Sequence, residues 1–239
     1  DSPTASVSFV RVGIGNTLDL ASGGTLNTTN LRIGWDFGAG TIARNGGVLN
    51  VTGDVELGDA SDLTIDDGDT IGGNLDVAGP GEVTLTAGSS SSIGGVFQIQ
   101  GNATFTTGAG SSSSIGTLLM GYFGAGNIVR GADSTLSIDT LRIRDISTYV
   151  AAPGDVINTT LQFENSAGGV VQSAVSTANG TGLTLDGSTL TFLDSDDVIE
   201  LTFTDPTTFA GGDYWAFRWL GSHTTTLNGY LGDEITIDT

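Results

Sequence analysis

Along the first 145 residues, apolar and polar positions alternate in a triplet, apolar–polar–apolar, that recurs at a nearly constant interval. It reads Val10-Arg11-Val12, Leu31-Arg32-Ile33, Val55-Glu56-Leu57, Leu75-Asp76-Val77, Phe97-Gln98-Ile99, Leu118-Leu119-Met120 and Leu141-Arg142-Ile143. The intervals between first members are 21, 24, 20, 22, 21 and 23 residues. A second triplet follows about eight residues later: Leu18-Asp19-Leu20, Leu63-Thr64-Ile65, Val83-Thr84-Leu85 and Ala103-Thr104-Phe105. A third anchor closes each repeat at Leu26, Leu49, Ile71, Ile93, Ile115 and Leu136. Successive side chains of a strand point to opposite faces, so each triplet describes a short wall with a dry inside and a wet outside. One such repeat cannot bury its apolar face alone and must stack on its neighbours. The pattern therefore predicts an all-β fold, a parallel β-helix of about seven coils with three short walls per coil. At a strand spacing of ~4.8 Å the stack is roughly 34 Å long. The only weak helical pattern is Val170 to Ala178.

The corners agree with this. Ala21-Ser22-Gly23-Gly24, Asn45-Gly46-Gly47 and Asp66-Asp67-Gly68-Asp69 supply residues that tolerate tight bends. Two coils match closely. Gly34-Trp35-Asp36-Phe37-Gly38-Ala39-Gly40-Thr41-Ile42-Ala43-Arg44 parallels Gly121-Tyr122-Phe123-Gly124-Ala125-Gly126-Asn127-Ile128-Val129-Arg130, and an SSSSIG run ends at both Gly94 and Gly116.

The stretch from Leu31 to Gly58, with its GAGTIARNGGVLNVTGDVELG core, resembles the Gly-rich solenoid repeats of bacterial exported surface proteins, including autotransporter-type passengers and proteins with PEP-CTERM sorting tails. The resemblance covers residues 10 to 145 and implies an exported, right-handed β-helix with structural or adhesive duty. Unlike those groups, the sequence given shows neither an anchoring tail nor a barrel.

The period fails near Ile146. Residues 147–239 remain strand-rich but irregularly spaced, and are expected to form an antiparallel β cap or small sandwich. This divides the chain into an N-terminal arm at 1–9, a solenoid at 10–146 and a C-terminal β domain at 147–239. In the last of these, Trp215, Phe217 and Trp219 alternate along one strand face, suiting either a core, a glycan-stacking platform or a subunit contact.

Charge narrows the partners. Seven basic residues, all arginine, face 27 acidic ones, for a net charge of −20. Phosphate binding needs concentrated positive charge, so nucleic acid and anionic membrane surfaces are poor partners, and with no transmembrane run visible no membrane insertion is expected. Cysteine is absent, which excludes disulfides and thiol redox chemistry. The polar Asp1-Ser2-Pro3-Thr4 start suits a mature extracellular chain whose signal peptide has been removed. Asn27, Asn50, Asn102, Asn158 and Asn179 head Asn-x-Thr sequons, candidate glycosylation sites.

Catalytic chemistry is poorly supplied: one histidine, His223, and no nucleophile elbow or phosphate loop. Asp194, Asp196, Asp197 and Glu200 are the carboxylates a polysaccharide lyase or hydrolase would use. The outward column Arg11, Arg32, Glu56, Asp76, Gln98, Leu119, Arg142 places Arg32 beside Glu56, which suits coil-to-coil pairing. No cofactor is expected apart from Ca²⁺, with Asp66, Asp67 and Asp69 in one loop and Asp194, Asp196 and Asp197 in another as its oxygen ligands. Thr64, Thr84 and Thr104, 20 residues apart, form an outward threonine array that also raises ice binding.

A solenoid ends in unpaired sheet edges, which template pairing with another chain. Val7, Phe9 and Val10 alternate as a donor strand would. The sequence thus points to a non-enzymatic extracellular structural protein joined to itself head to tail as a filament or surface fibre. A monomeric adhesin or glycan-binding stalk is the alternative, and an enzyme or an ice-binding β-helix lies further off.

Overall fold

The computed structural model describes residues 4–34, 38–58, 60–122, 124–144, 147–152 and 154–164, and beyond these the strands 170–176, 183–185, 189–193, 198–202, 215–219, 224–228 and 236–238. The fold is an all-β solenoid of about seven turns. Its first sheet begins with β1 (Thr4–Val12) and β3 (Thr25–Ile33). It continues through β5 (Val48–Val51) with β6 (Val55–Leu57), and β8 (Thr70–Ile71) with β9 (Leu75–Val77). The later rungs are β11 (Ser90–Gln100), β13 (Ser112–Tyr122), β15 (Thr135–Arg144) and β17 (Asp155–Glu164). The second sheet stacks β2 (Thr17–Leu20), β4 (Thr41–Arg44), β7 (Asp62–Ile65), β10 (Glu82–Leu85), β12 (Thr104–Thr107) and β14 (Asn127–Val129). All these rungs pair in parallel.

The triplets lie over one another in the expected register. Leu31 pairs with Val55, Val55 with Leu75, Leu75 with Phe97, and so on through Leu118 and Leu141. The other inward column, Ile33, Leu57, Val77, Ile99, Met120 and Ile143, is at most 1% exposed throughout. From the second sheet, Ile42, Leu63, Val83 and Phe105 close the core, and the Phe105 ring meets Phe97 edge-on at 4.8 Å.

Three walls per coil become two sheets. Where the sequence suggested a corner between the third anchor and the next triplet, the strand bends but its ladder continues. The Gly53 N–H donates to the Thr29 carbonyl at 2.7 Å, Gly73 N–H to the Gly53 carbonyl at 3.0 Å, and Gly95 N–H to the Gly73 carbonyl at 3.0 Å. Coils approach so closely here that a Cβ on Gly95 would sit 2.6 Å from the Gly73 oxygen. Small residues at this bend hold the two walls in one sheet.

Two boundaries move. Residues 4–9 are not a separate arm: they are the first half of β1, paired with Thr25–Asn30. The coil stack also passes the expected limit at 146, because Leu161-Gln162-Phe163 pairs with Leu141-Arg142-Ile143 and adds a rung. The parallel coil stack then stops. β18 (Val170–Ser176) lies antiparallel on β17, and β19 (Leu183–Leu185) also pairs with β17 antiparallel. β22 (Trp215–Trp219) lies antiparallel on β18, and β24 (Thr236–Asp238) parallel on β22. A third sheet joins β16 (Thr148–Val150), β20 (Thr189–Leu193), β21 (Val198–Thr202) and β23 (Thr224–Asn228). The weak helical pattern over 170–178 is strand through Ser176, its backbone drawn into the ladder beside β17.

Candidate functional site

The outward column of the first sheet is assembled as its spacing predicts. Arg11, Arg32, Glu56, Asp76, Gln98, Leu119 and Arg142 are successive ladder partners, followed by Gln162. Arg32 Nη2 reaches Glu56 Oε2 at 2.6 Å, with both side chains about one-third exposed (32% and 31%). Gln100 Nε2 donates to Asp76 Oδ1 at 2.7 Å. Burial pushes the Asp76 carboxyl up; Gln100 pulls it back, and Glu56 alongside pushes it further up. The column is a ladder of cross-coil pairs, each carboxylate facing a donor on a neighbouring coil.

A second set of polar groups is buried between coils. Arg44, 5% exposed, donates from Nη2 to Asp69 Oδ2 at 2.6 Å and from Nε to Asp66 Oδ2 at 3.1 Å. Asp69 also accepts from the Leu49 N–H at 2.8 Å and the Asp66 N–H at 2.9 Å. The same arrangement recurs 86 residues on. Arg130 Nη2 donates to Asp155 Oδ1 at 2.6 Å, and Asp155 accepts from the Leu136 and Ala152 N–H groups at 2.7 and 2.9 Å. Tyr149, fully buried, donates its hydroxyl to Asp155 Oδ2 at 2.7 Å. Burial pushes both Asp69 and Asp155 above the ordinary carboxylate value, against the pull of their donors. Ser61 and Ser147 repeat as well, their hydroxyls accepting from the Gly40 and Gly126 N–H at 3.2 and 3.1 Å. The matched segments ending at Arg44 and Arg130 were the sequence signal for these clamps. Their aspartate partners lie 25 residues downstream, one coil away, where neither segment points.

The Ca²⁺ loop is arranged differently from a cation cage. Asp66 and Asp69 face Arg44, Asp66 Oδ1 also accepts from the Thr86 hydroxyl, and Asp67 Oδ1 accepts from the Ser90 N–H at 3.1 Å. Among the described residues no group of three His, Cys, Asp or Glu is placed to hold a metal. Asp194, Asp196 and Asp197 lie outside the described residues, as do His223 and Asn179.

The threonine column is shifted from its expected register. Thr84 pairs with Thr64 and with Thr106, whereas Thr104 pairs with Glu82. The 22-residue step between these coils, against 20 in the preceding one, moves the partner by two positions. Glu82 Oε1 then accepts from the Thr106 hydroxyl at 2.7 Å, so a carboxylate interrupts the hydroxyl array. Asp62 pairs with Glu82 across the ladder, and burial together with that charge raises its carboxyl.

Of the sequons, Asn27 and Asn50 stack, with Asn50 Nδ2 donating to Asn27 Oδ1 at 3.0 Å. Asn158 Nδ2 donates to Asp139 Oδ1 at 2.9 Å. Asn102 stands apart, exposed in a turn at φ +69°. Trp215, Phe217 and Trp219 alternate on β22, whose backbone pairs with β18 through Phe217 and Ala174; their side chains lie outside the described set.

The assembly residues occupy the outermost rung. Among the described residues β1 pairs only with β3, so its other edge is open. Val7 is 45% and Phe9 50% exposed, and Ile14 just beyond β1 is 58% exposed. Val10 differs: it is partly buried against the core.

Two open grooves run along corners. One is lined by Asp66, Asp67, Thr86 and Ser89, and the other by Ser91, Ser113 and Ser137 with their neighbours.

These features define a β-solenoid repeat protein. Compared with known families, curated proteins and solved structures, the chain matches none.

Proposed function

We propose that this chain is a non-enzymatic structural subunit of an extracellular assembly, a stiff solenoid that joins other copies through a sheet edge. One observation carries the reading: among the described residues β1 is a nine-residue strand with a single partner, and it exposes Val7 and Phe9 beside its open edge. Long, flat, apolar edges are templates for strand addition unless they are covered. Interior chemistry supports a structural role too. The buried carboxylates Asp69 and Asp155 are held by arginines and backbone N–H groups, which uses their lone pairs for stacking. The acidic exterior, in a chain of net charge −20, keeps rods from adhering side to side.

Sedimentation and negative-stain imaging of the purified chain test this. Assemblies of discrete rods support it. A chain that stays monomeric at high concentration and binds a glycan contradicts it in favour of an adhesive stalk. Release of reducing ends or unsaturated sugars from an acidic polysaccharide contradicts it in favour of an enzyme.

A further inference from the structure

The corner after β4 holds an asparagine followed by glycine, Asn45-Gly46, the one such step that the described residues place outside a strand. Both residues are exposed, and Gly46 bends the chain at φ +80°. The Gly46 N–H donates to no group among the described residues. With no Cβ beside it, that nitrogen can come close to the preceding side chain. Of the other Asn-Gly steps, Asn228 ends β23 with its backbone paired to Thr202, and Asn179 lies outside the described residues.

The same corner ties the second coil to the first. Asn45 Nδ2 donates to Asp19 Oδ1 at 2.7 Å, and the Asn45 N–H to the Leu20 carbonyl at 3.1 Å. The Gly46 carbonyl accepts from the Gly23 N–H at 3.4 Å. The backbones run close here: a Cβ on Gly47 would lie 2.7 Å from the Ala21 carbonyl oxygen.

We propose that Asn45 is a site of spontaneous covalent modification, losing its amide through a succinimide and so loosening the corner between these two coils. The Gly46 nitrogen attacks Asn45 Cγ. A new N–Cγ bond closes a five-membered ring, the Cγ–Nδ2 bond breaks, and ammonia leaves with the Gly46 amide proton. Water then opens the ring. Cleavage of the new N–Cγ bond leaves aspartate at position 45. Cleavage between the nitrogen and the original backbone carbonyl leaves isoaspartate, whose main chain is one atom longer. Either product sets a carboxylate, in place of a donor, against Asp19, so a hydrogen bond becomes a like-charge contact. The longer main chain of isoaspartate must also be fitted against Ala21.

Asn102 supplies an internal comparison, because it too is exposed in a turn, at φ +69°, but is followed by alanine. Incubation of the intact chain at pH 8 and peptide mapping should show Asn45 losing its amide at least ~10-fold faster than Asn102, with isoaspartate among the products. Asn45→Asp should lower the melting temperature by ~2–4 °C. Adding Asp19→Asn should restore most of that loss, since a donor and a carboxylate then face each other again, while Asp19→Asn alone should not raise the melting temperature. An intact amide at Asn45, loss no faster than at Asn102, or aspartate without isoaspartate overturns the modification. Amide loss at Asn45 together with an unchanged melting temperature for Asn45→Asp overturns its effect on the corner.

Discussion

Arg130 and Asp155 show why single side chains can matter more than any surface pair in this molecule. Asp155 is 1% exposed and accepts from Arg130, Tyr149 and two backbone N–H groups. Asp155→Ala leaves a buried guanidinium and several donors without their acceptor, and is expected to cost ~3–5 kcal/mol of stability in a urea melt. Removing the partly exposed Arg32–Glu56 pair by Arg32→Ala should cost only ~0–1 kcal/mol in the same assay. Tyr149 adds a pH signature. Burial and the adjacent Asp155 raise its phenol well above 10.0. A raised acid keeps its proton in the folded state after the unfolded chain has lost it, so its contribution is complete below pH 10 and lost as pH rises beyond. Thermal melts should therefore fall away on the alkaline side of pH 10, and Tyr149→Phe should reduce that fall. Only the arginine half of this clamp left a trace in the sequence, in the matched segments ending at Arg44 and Arg130; its partner comes from a different coil, and Asp155 lay past the expected end of the period.

Among elements, the bent strands of the first sheet set the tightest demands. A Cβ added at Gly116 would lie 2.3 Å from the Gly94 carbonyl oxygen, against backbone that cannot swing away. Gly110, at φ +64°, has open space around it. Gly116→Ala should thus destabilise by more than ~3 kcal/mol, or prevent folding, while Gly110→Ala should cost only the ~1–2 kcal/mol of a left-handed backbone. Paired denaturant melts separate the two. The strands themselves were readable because inward residues such as Leu31, Val55 and Leu75 repeat at the coil length, and a ladder in register needs little else. Corners were less readable: glycine marks a bend without saying whether hydrogen bonding continues through it. The threonine column failed for a related reason. A constant 20-residue step puts Thr104 over Thr84, and the two-residue longer coil between them puts Thr106 there instead. The final rung, Leu161-Gln162-Phe163, keeps the triplet pattern 20 residues after Leu141 and lay beyond the point, Ile146, at which the period was read as ending.

For the whole molecule, charge and stacking decide behaviour together. Asp62, Asp69, Asp76 and Asp155 all titrate above the 3.8 of a free aspartate, chiefly through burial. Folded chains then bind more protons than unfolded ones in the window above pH 3.8, so stability from these groups falls as pH rises through it. Relief of self-repulsion on acidification acts in the same direction for a chain of net charge −20. The melting temperature should be higher at pH 5 than at pH 7.

The ends, edges and clamps all depend on coils stacking in parallel with one register, and paired cysteines in this cysteine-free chain measure that register directly. Thr84→Cys with Thr106→Cys, on facing positions of adjacent coils, should form a disulfide rapidly under mild oxidation. Thr84→Cys with Thr104→Cys, two positions out of step, should not. A bridge between positions 84 and 104 in preference to 84 and 106, or no bridge in either, would contradict the stack described for this protein.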